Sequence, residues 1–591
     1  MTVEAFGTGN MKTLGPNDFP VEMHTHVLQT LVAACRRPYC PAFWPPSRRH
    51  TPPPAWVWSE HDLRKESLFP FNAVRVCTLW RDILAQIMDC WDRVVFDLSK
   101  DPTPLLDAFE WSRKGPLGAK VEDGQLEVLI YSPSREVESA VEKELERKRV
   151  QVISKALQPH VHRCKSITFD VTYASSLPPT SMFFLRDAPH LGTLSLTFRI
   201  DDFVDADIME IHDEGRLYDD IQLATSFPKL SEVTLTGRGF MDLARAARAH
   251  DPNSEWFRNA NFGNSHCHLF ISHFEFTRDG PYSFFNFVSY ISQLSRQLFS
   301  VHLRDLSLAY EYTADTYILP PHYVLPKVTG NIYFISLSDG FLENFYAITD
   351  VSPTSWITFD NCTIPENVQP VSESQLRLRN MVEKETDADE DGVSLSLRRI
   401  LSVWSGYELS IETSSAFNDA LLRWMTQEDS LLNHSPTATD IATGTAGANT
   451  AEAVDDLNRM LGRPARAMPA WHMTMVSLHD CGNFSPSVCR EMIQARSEIV
   501  FREEARAGEA ANNANANVNP VNNNVDEPYQ DVLSELYVQG EAVPSLSEED
   551  KEWFRAYEED LWVHWMVRLK FVEPGMLPGV IQFESGRRED F

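Results

Sequence analysis

The stretch Met473-Thr-Met-Val476-Ser-Leu478-His-Asp-Cys481 determines how the rest of this sequence is interpreted. Apolar residues stand at its first, fourth, sixth and ninth positions, and the alternation from Val476 to Leu478 is typical of a strand with one buried face. The opening spacing of this stretch recurs at 191–196, 230–235 and 298–303. The recurrence predicts several equivalent strands along the chain.

This spacing resembles the leucine-rich repeat, whose template places apolar residues at the same positions and ends on Asn or Cys. Residues 357–362 match the second half of the template, and looser matches stand at 164–169, 271–276 and 332–334. The central apolar residues follow one another at intervals of 27, 39, 41, 27, 31 and 25 residues, in the order Ile167, Leu194, Val233, Phe274, Val301, Ile332 and Ile357. Regular repeats run to ~20–29 residues, so the longer intervals leave room for a helix.

Helical patterns separate the predicted strands. Two early strands are expected at 91–98 and 126–131, and later units around Leu409, Val476 and Leu569. The predicted helices lie at 105–111, 139–157, 240–249 and 284–299. A strand-plus-helix unit cannot bury its apolar face alone, so stacked units form a parallel sheet with helices behind it. The sequence therefore predicts an α/β fold with an irregular leucine-rich-repeat-like solenoid over 92–591. An ordinary α/β domain with strand–helix alternation is the alternative.

Three segments of the predicted repeat region have little to bury. Residues 383–392 are acidic, 433–455 are rich in Thr, Ala and Gly, and 504–528 contain an Asn/Ala tract. Such compositions cannot offset the entropy of folding, so disordered insertions are expected at about these positions.

The N-terminal region shows two helical patterns with an insert between them. Pro20 and Glu22 favour a helix start, and Met23, Val27 and Leu31 follow at helical spacing. A second pattern begins near Leu68, and the Pro-rich segment at about 35–66 separates the two. Two or three short helices enclose little volume, so part of their apolar surface is expected to need a partner.

The two halves resemble an F-box over residues 15–95. Phe19-Pro20-Val21-Glu22-Met23 with Val27-Leu28 and Leu31 is similar to its opening helix, and the run Val74 to Arg81 is similar to its second half. The Pro-rich insert departs from the compact form of that family. The insert is compatible with docking, because loop-closure entropy grows slowly with length, or it marks a copy that no longer docks.

The resemblance implies a docking function. F-box domains bind the Skp-type adaptor of the cullin ligase core, which implies a substrate-recruiting subunit of a cullin-type (SCF) E3 ubiquitin ligase whose repeat region holds an unknown protein substrate. An apolar helical face with a buried anchor suits such a contact. The resemblance implies an adaptor-binding set of eight residues: Phe19, Pro20, Val27, Leu28, Leu31, Val74, Cys77 and Trp80.

The composition excludes some partners and favours one compartment. The net charge is −31, from 53 basic and 84 acidic residues, so a phosphate backbone would be repelled and no nucleic-acid partner is expected. No apolar run reaches the ~18 residues of a membrane span, and residues 1–20 lack the apolar core of a secretory signal. Nine scattered cysteines suit reduced thiols, so a cytoplasmic or nuclear location is expected.

No motif in the sequence indicates catalysis. Phosphate-loop, nucleophile-elbow and zinc-protease patterns are absent, and His266-Cys267-His268 has no zinc-site spacing. We therefore expect an adaptor without its own catalytic site, cofactor or metal. Two other functions stay open: a protein-interaction scaffold with a degenerate F-box as a cap, and an unrecognised α/β hydrolase.

Overall fold

A computed structural model of the chain describes most of the predicted elements. The described residues are 19–38, 56–58, 62–65, 68–87, 90–112, 126–133, 140–203, 223–249, 256–262, 266–278, 280–309, 325–351, 355–366, 368, 375–381, 392–427, 469–470, 472–515, 533–557, 561–568 and 580–585. They divide into two compact units, Met1–Cys267 (unit 1) and His268–Phe591 (unit 2). Each unit is an α/β arrangement built on a mostly parallel sheet.

Unit 1 combines short N-terminal helices with a parallel sheet. Its helices are α1 Val21–Cys35, α2 Phe71–Val74, α3 Thr78–Leu84, α4 Ala108–Trp111, α5 Ala140–Leu157, α6 Gly237–Ala249 and α7 Trp256–Asn259. Its strands are β1 Arg36–Pro38, β2 Trp56–Trp58, β3 Arg93–Asp97, β4 Leu126–Tyr131, β5 Cys164–Tyr173, β6 Thr193–Ile200, β7 Ser226–Phe227, β8 Glu232–Thr236 and β9 Asn261–Phe262.

The main sheet of unit 1 runs β3-β4-β5-β6-β8, with every neighbouring pair parallel. One buried register position crosses all five strands, through Val94, Val128, Ile167, Leu194 and Val233. Parallel strands covered by helices bury such positions almost completely, which accounts for the aliphatic residues there. Two small pairs accompany the sheet: β1 with β2, antiparallel, and β7 with β9, parallel.

Unit 2 repeats the strand–helix alternation over a longer stretch. Its strands are β10 His268–Phe276, β11 Ser300–Leu308, β12 Lys327–Val328, β13 Asn331–Ile335, β14 Asp350–Val351, β15 Trp356–Asp360, β16 Gln375–Arg379, β17 Glu408–Glu412, β18 Met475–His479, β19 Glu535–Gly540, β20 Trp562–Arg568 and β21 Val580–Ser585. Its helices are α8 Phe284–Ser295, α9 Asp339–Ile348, α10 Leu395–Val403, α11 Asp419–Trp424, α12 Pro486–Asn515 and α13 Glu548–Ala556.

The main sheet of unit 2 runs from β10 to β21 in chain order, with β12 and β14 paired separately. All its pairs are parallel except β20 with β21, and the described strands of this unit form no closed barrel. A single register joins Leu269, Val301, Ile332, Ile357, Leu376, Leu409, Val476, Leu536 and Val563. All nine are buried, so this row and the one two residues later form the core side of the sheet.

The strand ends of unit 2 carry a second regular feature. Four residues after the register row, the backbone is left-handed, with φ between 48° and 54° at His273, Asp305, Ser336, Asn361, Asn380, Thr413 and Asp480. The amide of each of the last five donates to a carbonyl on the next strand, as in Thr413 to His479 at 2.7 Å and Asp480 to Gln539 at 2.9 Å. We call this row the left-handed ladder. It prolongs the hydrogen bonding of the sheet by one rung beyond each strand.

Four helices of unit 2, α9, α10, α11 and α13, begin at side-chain caps. Ser338, Ser394 and Asn418 accept hydrogen bonds from the amides of the third helical residues of α9, α10 and α11. Ser547 and Asp550 form a reciprocal capping box on α13. Such caps satisfy orphan amides and fix where each helix starts after its strand.

The structure confirms the strand predictions at Val301, Ile332, Ile357, Leu409 and Val476, which share one register. Phe274 is a correction: Leu269 occupies the equivalent position, and Phe274 pairs with Leu306 five residues further along. Strands β16 and β19 were not predicted. The unit expected around Leu569 corresponds to β20, whose register residue is Val563, and Leu569 itself lies outside the described residues.

The predicted insertion at 504–528 is also corrected, because α12 continues to Asn515. Its Ala- and Glu-rich sequence favours a helix, which the composition argument overlooked. The guanidinium of Arg496 fixes the first half of α12 by donating to the carbonyls of Pro469 and Ala470, at 2.9 and 2.6 Å. Residues 516–528, 433–455 and 383–391 lie outside the described residues, as does most of the Pro-rich insert.

Candidate functional site

The first candidate site is an exposed apolar row on α1. His24, Leu28 and Val32 point inward and are buried. Met23, Val27 and Leu31 lie beside them on the adjoining strip of the helix, preceded by Phe19. These four, the α1 row, are 52 %, 45 %, 38 % and 46 % exposed. The apolar surface of α1 therefore extends beyond the stripe that its own packing buries.

The inner side of α1 is held by the second helical pattern of this region. The indole Nε1 of Trp80 on α3 donates to Nδ1 of His24 at 3.0 Å. Further inside, Nε1 of Trp91 donates to the carbonyl of Leu84 at 2.9 Å, and the Trp91 ring packs 4.7 Å from that of Trp111. This aromatic packing fixes the helix in place, so the α1 row is presented on a supported surface.

The eight predicted adaptor-binding residues separate into three groups. Phe19, Pro20, Val27 and Leu31 are exposed, and Cys77 and Trp80 are partly buried. Leu28 is fully buried and Val74 is 6 % exposed. The side chains of Leu28 and Val74 therefore fill the interior of this helical region, and the adaptor-binding role of the eight residues stays a prediction. Sequence spacing alone could not separate the inner stripe from the outer one, since both follow helical periodicity.

The second candidate site is the side of the unit 2 sheet opposite its buried register row. Here the side chains alternate with the core positions and most are partly exposed. We call it the half-exposed face. Its residues on β10, β11, β13 and β15 include a group of aromatic and histidine side chains, those on β16 and β17 are mainly charged, and those on β19 and β20 include a second aromatic group.

The first aromatic group, the β10–β15 cluster, contains His268, Phe270, His302, Tyr333 and Trp356. The His302 ring lies between Phe270 and Tyr333, with centroids 4.1 and 3.9 Å away and nearly parallel planes. The indole Nε1 of Trp356 donates to the Tyr333 hydroxyl at 2.8 Å. Side chains on neighbouring strands stand close enough for such contacts, so four strands combine into one aromatic surface.

Burial and the neighbouring His268 lower the pKa of His302 to about 3. The Ser300 hydroxyl bridges the two histidines, 2.8 Å from His302 Nε2 and 2.6 Å from His268 Nδ1. His302 is therefore neutral at neutral pH, and the stack it joins is an uncharged surface.

The charged stripe follows on β16 and β17. Arg379 pairs with Glu412 at 2.9 Å, and Gln375 donates to Glu408. Burial raises the pKa of the Glu408 carboxyl, and the nearby Arg377 opposes that change. Arg377 itself stacks over the Trp356 ring at 4.8 Å and donates to Gln375 at 3.1 Å.

The second aromatic group, the β19–β20 cluster, contains Tyr537, Trp562 and His564. The Tyr537 and Trp562 rings meet edge to face at 4.6 Å. His564 lies 6.1 Å from both rings, and its Nδ1 is 3.1 Å from the Glu584 carboxylate on β21. The half-exposed face therefore carries an aromatic surface near each end of its charged stripe.

Sequence reasoning missed both clusters. Their residues occupy the variable positions of the repeat template, which the template does not constrain. The available signal was the concentration of aromatic and histidine residues at those positions, as in His302, Tyr333 and Tyr537.

No family model matches this chain, and none of the curated proteins matches its sequence. Among the described residues, no group of three or more His, Cys, Asp and Glu side chains is arranged to hold a metal ion. In the same part of the chain, no helix is both long and apolar enough to cross a lipid bilayer.

Proposed function

We propose that this protein is a substrate-recruiting adaptor subunit of a cullin-type (SCF) E3 ubiquitin ligase. Residues 15–95 would act as an F-box that docks on the Skp-type adaptor, and the following region would act as a leucine-rich-repeat-like solenoid that binds a protein substrate. The observation that carries the proposal is the α1 row, an apolar strip left exposed beside the buried stripe of α1. A helix face of this kind suits a hydrophobic groove on a partner.

The strand geometry supports the solenoid part of the proposal. Nine strands of unit 2 share one buried register, and the left-handed ladder follows it at a constant offset of four residues. Equivalent residues at equivalent positions are typical of repeat architectures. At the template position that favours Asn or Cys, the thiol of Cys362 donates to the carbonyl of Phe334 at 3.3 Å.

The mechanism is an increase in effective concentration. A subunit that holds both the ligase core and a substrate makes ubiquitin transfer nearly intramolecular, and the catalytic groups belong to other subunits. In this proposal the protein acts in the cytoplasm or nucleus and needs no cofactor of its own.

Docking through the α1 row is tested by calorimetric titration of the full chain with a purified Skp-type adaptor. Val27→Asp and Leu31→Asp should each weaken binding at least about tenfold, because docking would desolvate an ionised carboxylate. Both residues are exposed, so circular dichroism should stay that of the wild type. Leu28→Asp is unsuitable, since the buried side chain is needed for folding.

Val141→Asp is the matched control, because Val141 is also a helical valine of unit 1 and is 76 % exposed. It should bind the adaptor as the wild type does. If the folded wild type shows no binding, or if all three variants bind equally, the ligase proposal is wrong and the scaffold function becomes the better interpretation.

A further inference from the structure

Arg377 and Glu535 carry opposite charges on the half-exposed face of unit 2, and neither forms a salt bridge with a residue that the structure describes. Arg377 on β16 donates to Gln375, stacks over the Trp356 ring and lies near the Glu408 carboxylate on β17. Glu535 on β19 forms no side-chain ion pair with any residue that the structure describes. By contrast, Arg379 and Glu412 form a salt bridge with each other, and the Glu408 carboxylate accepts a hydrogen bond from Gln375.

Arg377 and Glu535 each lie beside one of the two aromatic clusters. Arg377 is stacked on Trp356 of the β10–β15 cluster, and Glu535 is aligned with Trp562 in the register of β19 and β20. In order across the strands, the face offers an aromatic surface, the Arg377 cation, the Glu408 and Glu535 carboxylates, and a second aromatic surface. Aromatic side chains and arginine are the groups that most often carry binding energy at protein interfaces.

The strand spacing sets the distances between these features. Neighbouring strands lie about 4.8 Å apart, so β15 and β19 are separated by about 19 Å, and β16 and β19 by about 14 Å. An extended peptide advances about 3.3 Å per residue. It spans the aromatic surfaces with about six residues and the two charges with about four.

We propose that this face binds an extended peptide segment that lies across the strands. The segment carries two aromatic or large apolar anchors about six residues apart, with an acidic residue near Arg377 and a basic residue near Glu535 between them. The inference rests on the substrate-binding part of the proposed function and specifies its substrate class. Charge complementarity selects this occupant: a segment with two like charges would place one of them against Arg377 or Glu535.

The test uses fluorescently labelled synthetic peptides and the full-length protein, with affinity measured by fluorescence anisotropy. The probe has the core Trp-Asp-Gly-Ser-Gly-Lys-Trp. Two comparison peptides carry Asp at both charged positions or Lys at both, and a third, Trp-Asp-Lys-Trp, brings the anchors three residues apart. The mixed-charge probe should bind at least about tenfold more tightly than each of the others.

Variants of the protein sharpen the test. Trp356→Ala and Tyr537→Ala should each weaken probe binding about tenfold. The matched control is Trp553→Ala, since Trp553 stacks on Tyr557 at 4.2 Å on α13, away from this face. Arg377→Glu should reverse the preference, so that the peptide with two Lys residues binds best.

The inference is overturned if the peptides bind equally, or if Arg377→Glu leaves the order of affinities unchanged. Its failure is distinguishable from failure of adaptor docking, because each experiment has its own ligand. Trp356→Ala should keep the affinity for the Skp-type adaptor, and Leu31→Asp should keep the affinity for the peptide probe.

Discussion

At the scale of single residues, His302 shows how the sheet changes the chemistry of a side chain. Its ring is 9 % exposed and is stacked between Phe270 and Tyr333. The folded protein keeps this histidine neutral, with a pKa of about 3, whereas the unfolded chain protonates it near its ordinary value of 6.5. Between these two values the unfolded state binds one more proton than the folded state, so stability falls as the pH falls.

His302 therefore contributes about 1.4 kcal/mol of pH dependence per pH unit below 6.5. We expect His302→Phe, which retains the stacking, to reduce the loss of unfolding free energy between pH 7 and pH 5 by about 2 kcal/mol. Urea unfolding at both pH values measures the difference. Tyr333→Phe is the control, since it keeps the histidine and should keep the full loss. An unchanged loss in His302→Phe would contradict this assignment.

At the scale of elements, seven strands of unit 2 contain or are directly followed by a residue of the left-handed ladder. Most of its residues are polar, and Asn and Asp tolerate this conformation better than other side chains. At the end of β19 the equivalent position is Gly540, whose φ of 144° strongly favours glycine. The space is also closed, because an added Cβ would overlap the carboxylate of Asp480 and lie 2.7 Å from its amide nitrogen.

Gly540→Ala should destabilise unit 2 by about 2 kcal/mol or more, through backbone strain and this overlap. Gly340→Ala provides the comparison, because Gly340 lies in α9 with nothing within 4 Å of an added Cβ. It should stabilise the protein by about 0.5–1 kcal/mol. The two urea midpoints should move in opposite directions, and a common shift would contradict the role assigned to Gly540.

At the scale of the whole molecule, the cysteines report on burial in both units. Cys90, Cys164, Cys267, Cys362, Cys481 and Cys489 are buried free thiols, and Cys35 and Cys77 are partly buried. Burial raises the pKa of Cys164, Cys267, Cys362 and Cys489 to about 12 and that of Cys481 to about 11. The thiolate is the reactive form of cysteine. A buried thiol therefore reacts slowly for two reasons: the reagent cannot reach it, and its raised pKa keeps it protonated.

Alkylation with iodoacetamide at pH 8 should therefore leave the six buried cysteines, Cys90, Cys164, Cys267, Cys362, Cys481 and Cys489, unmodified in the folded protein. Peptide mapping by mass spectrometry should show Cys35 and Cys77 modified first, and all six after unfolding in guanidinium. Cys40 lies outside the described residues and is not used as a reporter. Rapid modification of Cys362 or Cys481 in the folded state would show that the sheet core opens in solution.

The sequence predicted the core side of the sheet better than its other side. Val301, Ile332 and Ile357 were placed correctly, because alternating apolar residues mark a buried strand face locally. The stack of His302 on Tyr333 could not be predicted, since it depends on the register between β11 and β13. Among the candidate site residues, the burial of Leu28 could not be predicted for a related reason: it depends on packing between α1 and a distant segment of the chain.

The left-handed ladder also determines where this chain can accept foreign sequence. The rung from Thr413 to His479 joins residues that are far apart in the chain, and its geometry depends only on the two strand ends. A reporter domain placed between Gln427 and Pro469 would leave the donor and acceptor of every rung in place. One extra residue between Leu409 and Thr413 would instead move Thr413 out of line with Asn380 and Asp480, and the hydrogen bond from its amide to the His479 carbonyl would be lost. The long connections are thus natural attachment points for labels, whereas the short strand-end segments have a fixed length.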